Sequence, residues 1–389
     1  MSGVKRAITW ILVAGVLLVV VFYVGGGLYF AGRINSGALA VQQPLDKAVE
    51  VVDVAAGEIT LRECSDDIPA LELDAMYGLA WDGGHGEMYG PPTDVSGSDR
   101  TEVTRSFRVS GGAGPSDGGT VRVDRDVYPE EDPAEALGTV VREVEYSSPA
   151  GTFGAWYVPG RGRTWVIFTH GAQGSDRYEA LRAMRTTTDL RFPSLAIEYR
   201  SDQDVPQDPS GRYQYGRTEW RDLEGAVRYA LEHGAAKVVL YGFSMGGAIT
   251  ASFLEHSSLA PKVTRVVLDS PMLDLSRTID YGAEQLELPV MGSPPTSLVW
   301  VAKRIAAAGY DVDWEAVDYL DDPSWLTVPA LVFQGEDDLR VPAETAEQLR
   351  AAKPDLVTLV EVAGAGHIEA WNKDPQAYNR KLTTFLTQP

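Results

Sequence analysis

The chain has 389 residues, 44% of them apolar, which suits a small first unit followed by an α/β domain of about 250 residues. Its net charge of −21 excludes attachment to nucleic acid or to an anionic membrane surface through a basic patch. A single cysteine, Cys64, excludes an intrachain disulfide framework and reads as an inert side chain.

From Ala7 to Gly32 there is no charged residue, and Ile11 to Val24 is almost unbroken Leu, Val, Ile, Phe and Tyr. At 1.5 Å per residue the run is long enough to cross a hydrocarbon core of about 30 Å. Lys5 and Arg6 stand just before it, so the positive-inside rule assigns residues 1–6 to the cytoplasm, 7–32 to a transmembrane signal anchor and the remainder to the extracytoplasmic side. Ala38-Leu39-Ala40 has the small-x-small form of a signal-peptide cleavage site, which is the competing reading. The apolar run is longer than such a peptide needs and Ala40 lies well beyond its end, so the anchor is preferred. Either way the rest of the chain lies outside.

Residues 33–139 read as an acidic, β-rich accessory module. Between 41 and 139 there are 21 Asp and Glu against 7 Lys and Arg, so about −14 of the net charge sits there. Ala48 to Val54 and Ile59 to Arg62 have strand-like β-branched content, and Glu102 to Val109 and Thr120 to Val127 alternate like half-buried strands. The glycine-rich run 111–119 joins the last two as a long turn. Trp81 to Glu87 contains His85, which has no second ligand at metal spacing and reads as a loop residue.

Residues 140–389 have the alternation of an α/β domain. Val141 to Tyr146 and Gly151 to Val158 alternate as antiparallel strands, and Thr164 to Thr169 is the apolar run of a strand buried on both faces. That run ends in His170-Gly171-Ala172. A helix over Asp176 to Arg185, a strand over Ser194 to Glu198 and an amphipathic helix over Arg217 to His233 follow. Beyond the next strand come strands over Thr264 to Asp269, Ala330 to Gln334 and Val357 to Val362. The helices Ala343 to Ala352 and from Pro375 complete a mostly parallel, doubly wound sheet.

Val238 to Gly242 is the β-branched strand that leads into Gly242-Phe243-Ser244-Met245-Gly246, a G-x-S-x-G nucleophile elbow. Glycines two residues either side of Ser244 let the chain fold back on itself. The helix that follows directs N–H groups toward any oxyanion formed there. A serine hydroxyl needs a positioned base, and the base needs a third group to hold its tautomer. Of five histidines, His367 lies just past the last strand on a glycine-rich loop, whereas His170 precedes the serine and His233 and His256 lie near helix ends. The acid is sought in Gly335 to Pro342, where Asp337 and Asp338 are the candidates.

The order of these three motifs, G-x-S-x-G, G-x-x-D-x-x-V-P and a late G-x-G-H, resembles the α/β-hydrolase superfamily over residues 140–389, especially compact bacterial serine hydrolases with an N-terminal membrane anchor. The resemblance implies Ser244 as nucleophile, His367 as base and Asp338 as acid. It further implies that the backbone N–H groups of Ala172 and Met245 form the oxyanion hole, with His170 structural. No cofactor or metal follows from it. The expected reaction is hydrolysis of a small or lipid-like carboxylic ester or thioester through an acyl-enzyme, with peptidase or acyltransferase chemistry on the same machinery. A catalytically silent fold used as a binding or assembly module at the membrane is the alternative from another class.

About 60 residues separate Asp269 from Ala330, more than one crossover helix needs. Leu286, Leu288, Pro289, Val290, Met291 and Trp300 in this interval suit either a small apolar lid or plain packing on the sheet. In the lid reading Met291 and Trp300 contact substrate.

Overall fold

The computed structural model describes residues 2–41, 48–55, 57–62, 71–96, 102–128, 133–172, 174–200, 202, 204–289 and 292–388. The N-terminal apolar run forms one helix, α1 (Ser2–Ile34), which continues into a short π turn, Asn35–Leu39. It is long and apolar enough to cross a membrane. From Val4 to Val21 its side chains are exposed. Beyond them Tyr23, Gly27, Phe30, Ile34 and Ala38 recur at helical spacing and turn toward the rest of the protein.

A six-stranded antiparallel barrel follows, built from β1 (Ala48–Ala55), β2 (Glu58–Arg62), β3 (Tyr77–Trp81), β4 (Gly84–Ser96), β5 (Glu102–Gly112) and β6 (Thr120–Asp124). Its order is β1-β2-β5-β4-β3-β6, closed by pairing of β1 with β6, so no strand edge is left open. Alternate residues such as Val49, Val51, Ile59, Leu61, Val121 and Val123 fill the interior. Residues 81–87, expected as a loop, are instead a hairpin: Asp82-Gly83 turns β3 into β4 and His85 is a strand residue. Glycines at 84 and 86 had removed the alternation from the sequence. They are required because Gly86 passes the Phe107 ring, where a β-carbon would stand 2.7 Å from Cε2.

The remaining chain forms an eight-stranded mixed sheet. After α2 (Pro133–Leu137), the antiparallel strands β7 (Arg142–Ser148) and β8 (Gly151–Val158) lead into β9 (Thr164–Thr169), α3 (Leu181–Asp189) and β10 (Ser194–Ile197). Then come α4 (Trp220–Glu232), β11 (Lys237–Phe243), α5 (Met245–His256) and β12 (Val263–Asp269). The crossover to the next strand holds two helices, α6 (Leu275–Glu284) and α7 (Thr296–Tyr310). The chain closes with β13 (Ala330–Gly335), α8 (Glu344–Ala352), β14 (Val357–Val362), α9 (Ala370–Lys373) and α10 (Pro375–Thr387). The strand order is β14-β13-β12-β11-β9-β10-β8-β7, parallel from β14 to β10 and antiparallel at the β8 and β7 end.

Successive residues of β9 serve opposite faces. Trp165 and Ile167 belong to the core that α4, α5 and α7 also supply, while Val166 and Phe168 belong to the one that α3 and α10 supply. Phe30, Ala31, Ile34 and Leu39 belong to the first of these cores. The end of the N-terminal helix is therefore part of the α/β domain's interior.

Candidate active site

Strand β11 delivers Ser244 to the sheet's C-terminal edge. Ser244 has φ 46° and ψ −113°, a conformation that a non-glycine residue adopts only under constraint. The constraint is visible: its N–H donates to the Asp269 carbonyl at 2.9 Å, and its carbonyl accepts from Gly247 N–H at 2.9 Å and Met272 N–H at 3.0 Å. A β-carbon on Gly242 would overlap the Gly246 carbonyl, and one on Gly246 would overlap that of Thr169. The glycines of the motif thus allow α5 to start directly against β9.

Two neighbouring loops bring the other side chains. His367 follows β14 on a turn through Gly364 (φ 71°), and Ile368 after it is held at φ 58° with its N–H donated to Ser270 Oγ at 3.0 Å. Ser270 is itself at φ 46°. Three positive-φ residues that are not glycine therefore meet at one place, a clustering typical of functional sites. Asp338 lies in the turn after β13, tied to the histidine loop by the Asp337 N–H, which donates to the Ala365 carbonyl at 3.0 Å.

The side chains form one hydrogen-bonded chain. His367 Nε2 is 2.9 Å from Ser244 Oγ, and His367 Nδ1 is 2.8 Å from Asp338 Oδ2. Asp338 Oδ1 accepts the N–H groups of Arg340 and Val341 at 2.8 and 2.9 Å, and Gln334 Nε2 donates to Oδ2 at 3.2 Å. Burial opposes the charge on this carboxyl, but His367 and these donors outweigh it and hold the group below its usual range. Asp337, the other candidate acid, is exposed.

His170-Gly171-Ala172 lies beside the serine, and a β-carbon on Gly171 would stand 3.2 Å from Ser244 Cβ. Ala172 lines the same cavity as Ser244. Met245 is the first residue of α5, so its N–H has no acceptor within the helix. His170 points away from Ser244: its Nε2 is 3.0 Å from Asp202 Oδ2, its Nδ1 is 2.9 Å from the Gly171 carbonyl, and its ring stacks on Tyr199. Burial alone would lower the pKa of the ring, but Asp202, with Glu179 and Asp176 behind it, raises it to about 9. The ring is then an imidazolium that donates from both nitrogens.

Two residues absent from the sequence reading complete the floor. Glu179, fully buried, accepts the Gly171 N–H at 2.7 Å and Ser175 Oγ–H at 3.2 Å. Arg125, from the segment after the barrel, donates to Glu179 Oε1 at 2.7 Å and to the His367 carbonyl at 3.3 Å. Their long sequence separation left no pattern by which to find them.

Above Ser244 and His367 is a cavity of about 320 Å³. Its walls come from the end of α1 (Phe30, Ile34), from α6 (Leu275, Ile279) and from α7 (Val299, Ala302). Trp300, expected here, does not line it. The ring projects from the opposite side of α7, is 57% exposed and lies under the Arg304 guanidinium, because Val299 and Ala302 occupy the inward face. Met291 lies outside the described residues. Among the described residues there is no group of three or more His, Cys, Asp or Glu side chains placed to hold a metal ion.

The chain is similar to the Pyrococcus furiosus esterase Pf2001 in two crystal forms. In one, the identity is 19%, the alignment covers 67% of this chain and 95% of the esterase, and the TM-score is 0.53. In the other the values are 18%, 65%, 94% and 0.51. Carboxylesterase CesB from Bacillus subtilis is similar at 16% identity over 66% of this chain and 94% of its own, with a TM-score of 0.47. No curated protein matches. Residues 158–381 match the model of the Alpha/beta hydrolase family. That match spans more than half of the chain and runs from the end of β8 into α10, and on this basis the protein belongs to the alpha/beta hydrolase family.

Proposed function

We propose that the protein is a membrane-tethered serine hydrolase that cleaves carboxylic esters or thioesters through Ser244, His367 and Asp338. The observation that carries this reading is the chain Ser244 Oγ to His367 to Asp338, at 2.9 and 2.8 Å, opening into an apolar cavity. Ser244 Oγ attacks the substrate carbonyl as its proton passes to His367 Nε2. Asp338 holds the Nδ1–H and the imidazolium that forms. The N–H groups of Ala172 and Met245 receive the oxyanion, each such donor contributing about 3 kcal/mol of transition-state stabilisation. On collapse, His367 returns the proton to the leaving alkoxide or thiolate. Water, deprotonated by the same imidazole, then releases the acid from Ser244. The esterase named among the similar structures supports an ester substrate; peptidase chemistry would use the same machinery with an amine as leaving group, and acyltransferase chemistry with an acceptor hydroxyl, thiol or amine in place of water.

The tether is α1, with residues 1–6 cytoplasmic and the catalytic domain outside, as the Lys5 and Arg6 pair before the apolar run supports. Retention of the helix is supported by its packing. Cleavage after Ala40 would strip Phe30, Ala31, Ile34 and Leu39 from the domain core.

The test is labelling of the full chain in detergent by a short-chain fluorophosphonate. The wild type is expected to label and Ser244→Ala not to. A folded wild type that fails to label would sink the serine-hydrolase reading and favour the silent binding module, and a mutant that labels equally would remove Ser244 as the nucleophile.

A further inference from the structure

Helix α1 is longer than a membrane crossing needs. About 20 apolar residues suffice, and Ala7 to Gly26 at 1.5 Å per residue already spans roughly 30 Å. The turns from Gly27 onward therefore stand at headgroup height and above. One side of them, with Gly27, Phe30, Ala31, Ile34 and Ala38, is buried against the protein, while Leu28, Tyr29 and Arg33 are exposed. A β-carbon on Gly27 would lie 2.7 Å from Val301 Cγ1, so α7 packs directly on the backbone of α1. Tyr23 and Ser297 share a hydrogen bond of 3.0 Å beside this contact. Higher up, the Ala38 carbonyl accepts from Tyr215 O–H at 2.7 Å, the Leu39 carbonyl from Tyr213 N–H at 2.8 Å, and Asn35 Oδ1 from Arg212 Nε at 2.6 Å. Between these two attachments Phe30, Ile34 and Ala38 face the cavity that ends at Ser244 and His367.

We infer that the membrane helix is a wall of the acyl-binding site, and that the substrate is a long-chain acyl ester resident in the bilayer, whose chain passes from the lipid layer along α1 into the cavity. This rests on the serine-hydrolase reading above and names its substrate class. The cavity lies within the range of about 300–1,000 Å³ found for small-molecule sites, and its walls on the α1, α6 and α7 sides are mainly apolar, with Arg33 and Thr278 as the polar members there. Above the level of Gly26, Phe30, Ile34 and Ala38 of the helix segment line the cavity with Arg33 beside them, so an acyl chain entering along this segment exchanges lipid for mostly apolar side chains. On the outer side at the same level, Tyr29 and Trp300 are each 57% exposed, as amphipathic rings are at a membrane interface.

The test uses the full chain in lipid nanodiscs with two probes, an ethyl fluorophosphonate and a hexadecyl fluorophosphonate carrying a diazirine along the chain. Both are expected to label Ser244, and photolysis of the long probe to cross-link residues 30–38 of α1. If the short probe labels Ser244 but the long one does not, or cross-links only outside α1, the inference is overturned and the hydrolase reading stands. If neither labels Ser244, both fall. As a second measurement, Ile34→Trp narrows the cavity at the helix wall. Each methylene denied burial costs about fourfold, so loss of room for two lowers the ratio of long-chain to short-chain ester turnover by roughly fifteenfold. An unchanged ratio in a folded variant would also overturn it.

Discussion

His170 makes the stability of this domain fall as pH rises through the neutral range, and the structure fixes the window. The ring is 2% exposed, and the charged or titratable groups around it are Asp202, Glu179, Asp176 and the stacked Tyr199. Its pKa rises from 6.5 in an unfolded chain to about 9 in the folded one. The native protein thus holds a proton that the unfolded chain releases. The stabilisation is fully present below about pH 6.5, declines by up to ~1.4 kcal/mol per pH unit above it, and is lost as pH passes about 9. The whole effect is on the order of 3 kcal/mol. At roughly 2 °C per kcal/mol for a domain of this size, the wild-type Tm should drop by about 6 °C between pH 6.5 and 9. Asp202→Asn removes the partner carboxylate, so the variant should start with a lower Tm and show a flatter pH dependence. Thermal unfolding of both proteins in one detergent across this range checks it, and the difference between them cancels other titrating groups. Parallel curves, or an NMR measurement placing a single proton on the His170 ring at pH 7.5, would refute the reasoning.

Two further outcomes follow from the geometry. Asp338→Asn leaves no acceptor pair for both the backbone donors and His367 Nδ1–H, so kcat on a short ester should fall by about 10⁴-fold with KM little changed; a loss under tenfold would remove Asp338 from the proposed role. Gly27→Leu forces a side chain into Val301 and Ile305, 2.7 and 3.0 Å from its β-carbon, and should cost about 1–3 kcal/mol, read as a lower Tm. Gly15→Leu, with nothing within 4 Å, is the matched control and should leave Tm unchanged.

Most of the sheet was legible because its signals are short-range. Thr164–Thr169 and Val357–Val362 are apolar runs of strand length bounded by turn residues, and the structure places both strands at those bounds. The elbow was legible for the same reason, since the clash that requires glycine at 242 and 246 arises within five residues and across one adjacent strand. The hairpin of β3 and β4 was hidden because its packing partner, Phe107, is distant in sequence and the start of β4 carries glycines at 84 and 86, so that only Tyr77, Leu79 and Met88 mark its inward side. The role of α1 was half legible. Composition identified a helix long and apolar enough to cross a membrane, but periodicity says which side is apolar and not which apolar surface it meets. Lipid and protein are equivalent partners to a stripe of Phe, Ala and Ile. Trp300 failed on the same point, because the interval was rightly read as apolar while the rotation of α7 turned Val299 and Ala302 inward.

The barrel's place in the molecule was not legible at all, and its contacts explain why an acidic module contributes a cation to the site. Met76 N–H donates to the Asn372 carbonyl at 2.8 Å, and Asn372 Nδ2 donates to the carbonyls of Met76 and Arg125 at 2.7 and 2.8 Å. This docks the barrel end on α9, just past His367, and presents Arg125 to Glu179. Burial disfavours the Glu179 charge, but Arg125, the Gly171 N–H and the His170 imidazolium together hold its pKa below the usual range. Without Arg125 the carboxylate that orients Gly171 would be a poorly compensated negative charge beside the point where the proposed mechanism forms an oxyanion. The same guanidinium also donates to the His367 carbonyl. One side chain from outside the sheet domain therefore sets both the electrostatics of the serine-side loop and the position of the histidine loop. A displaced barrel would disturb the two loops together, which ties the integrity of the site to a module that carries none of its proposed catalytic groups.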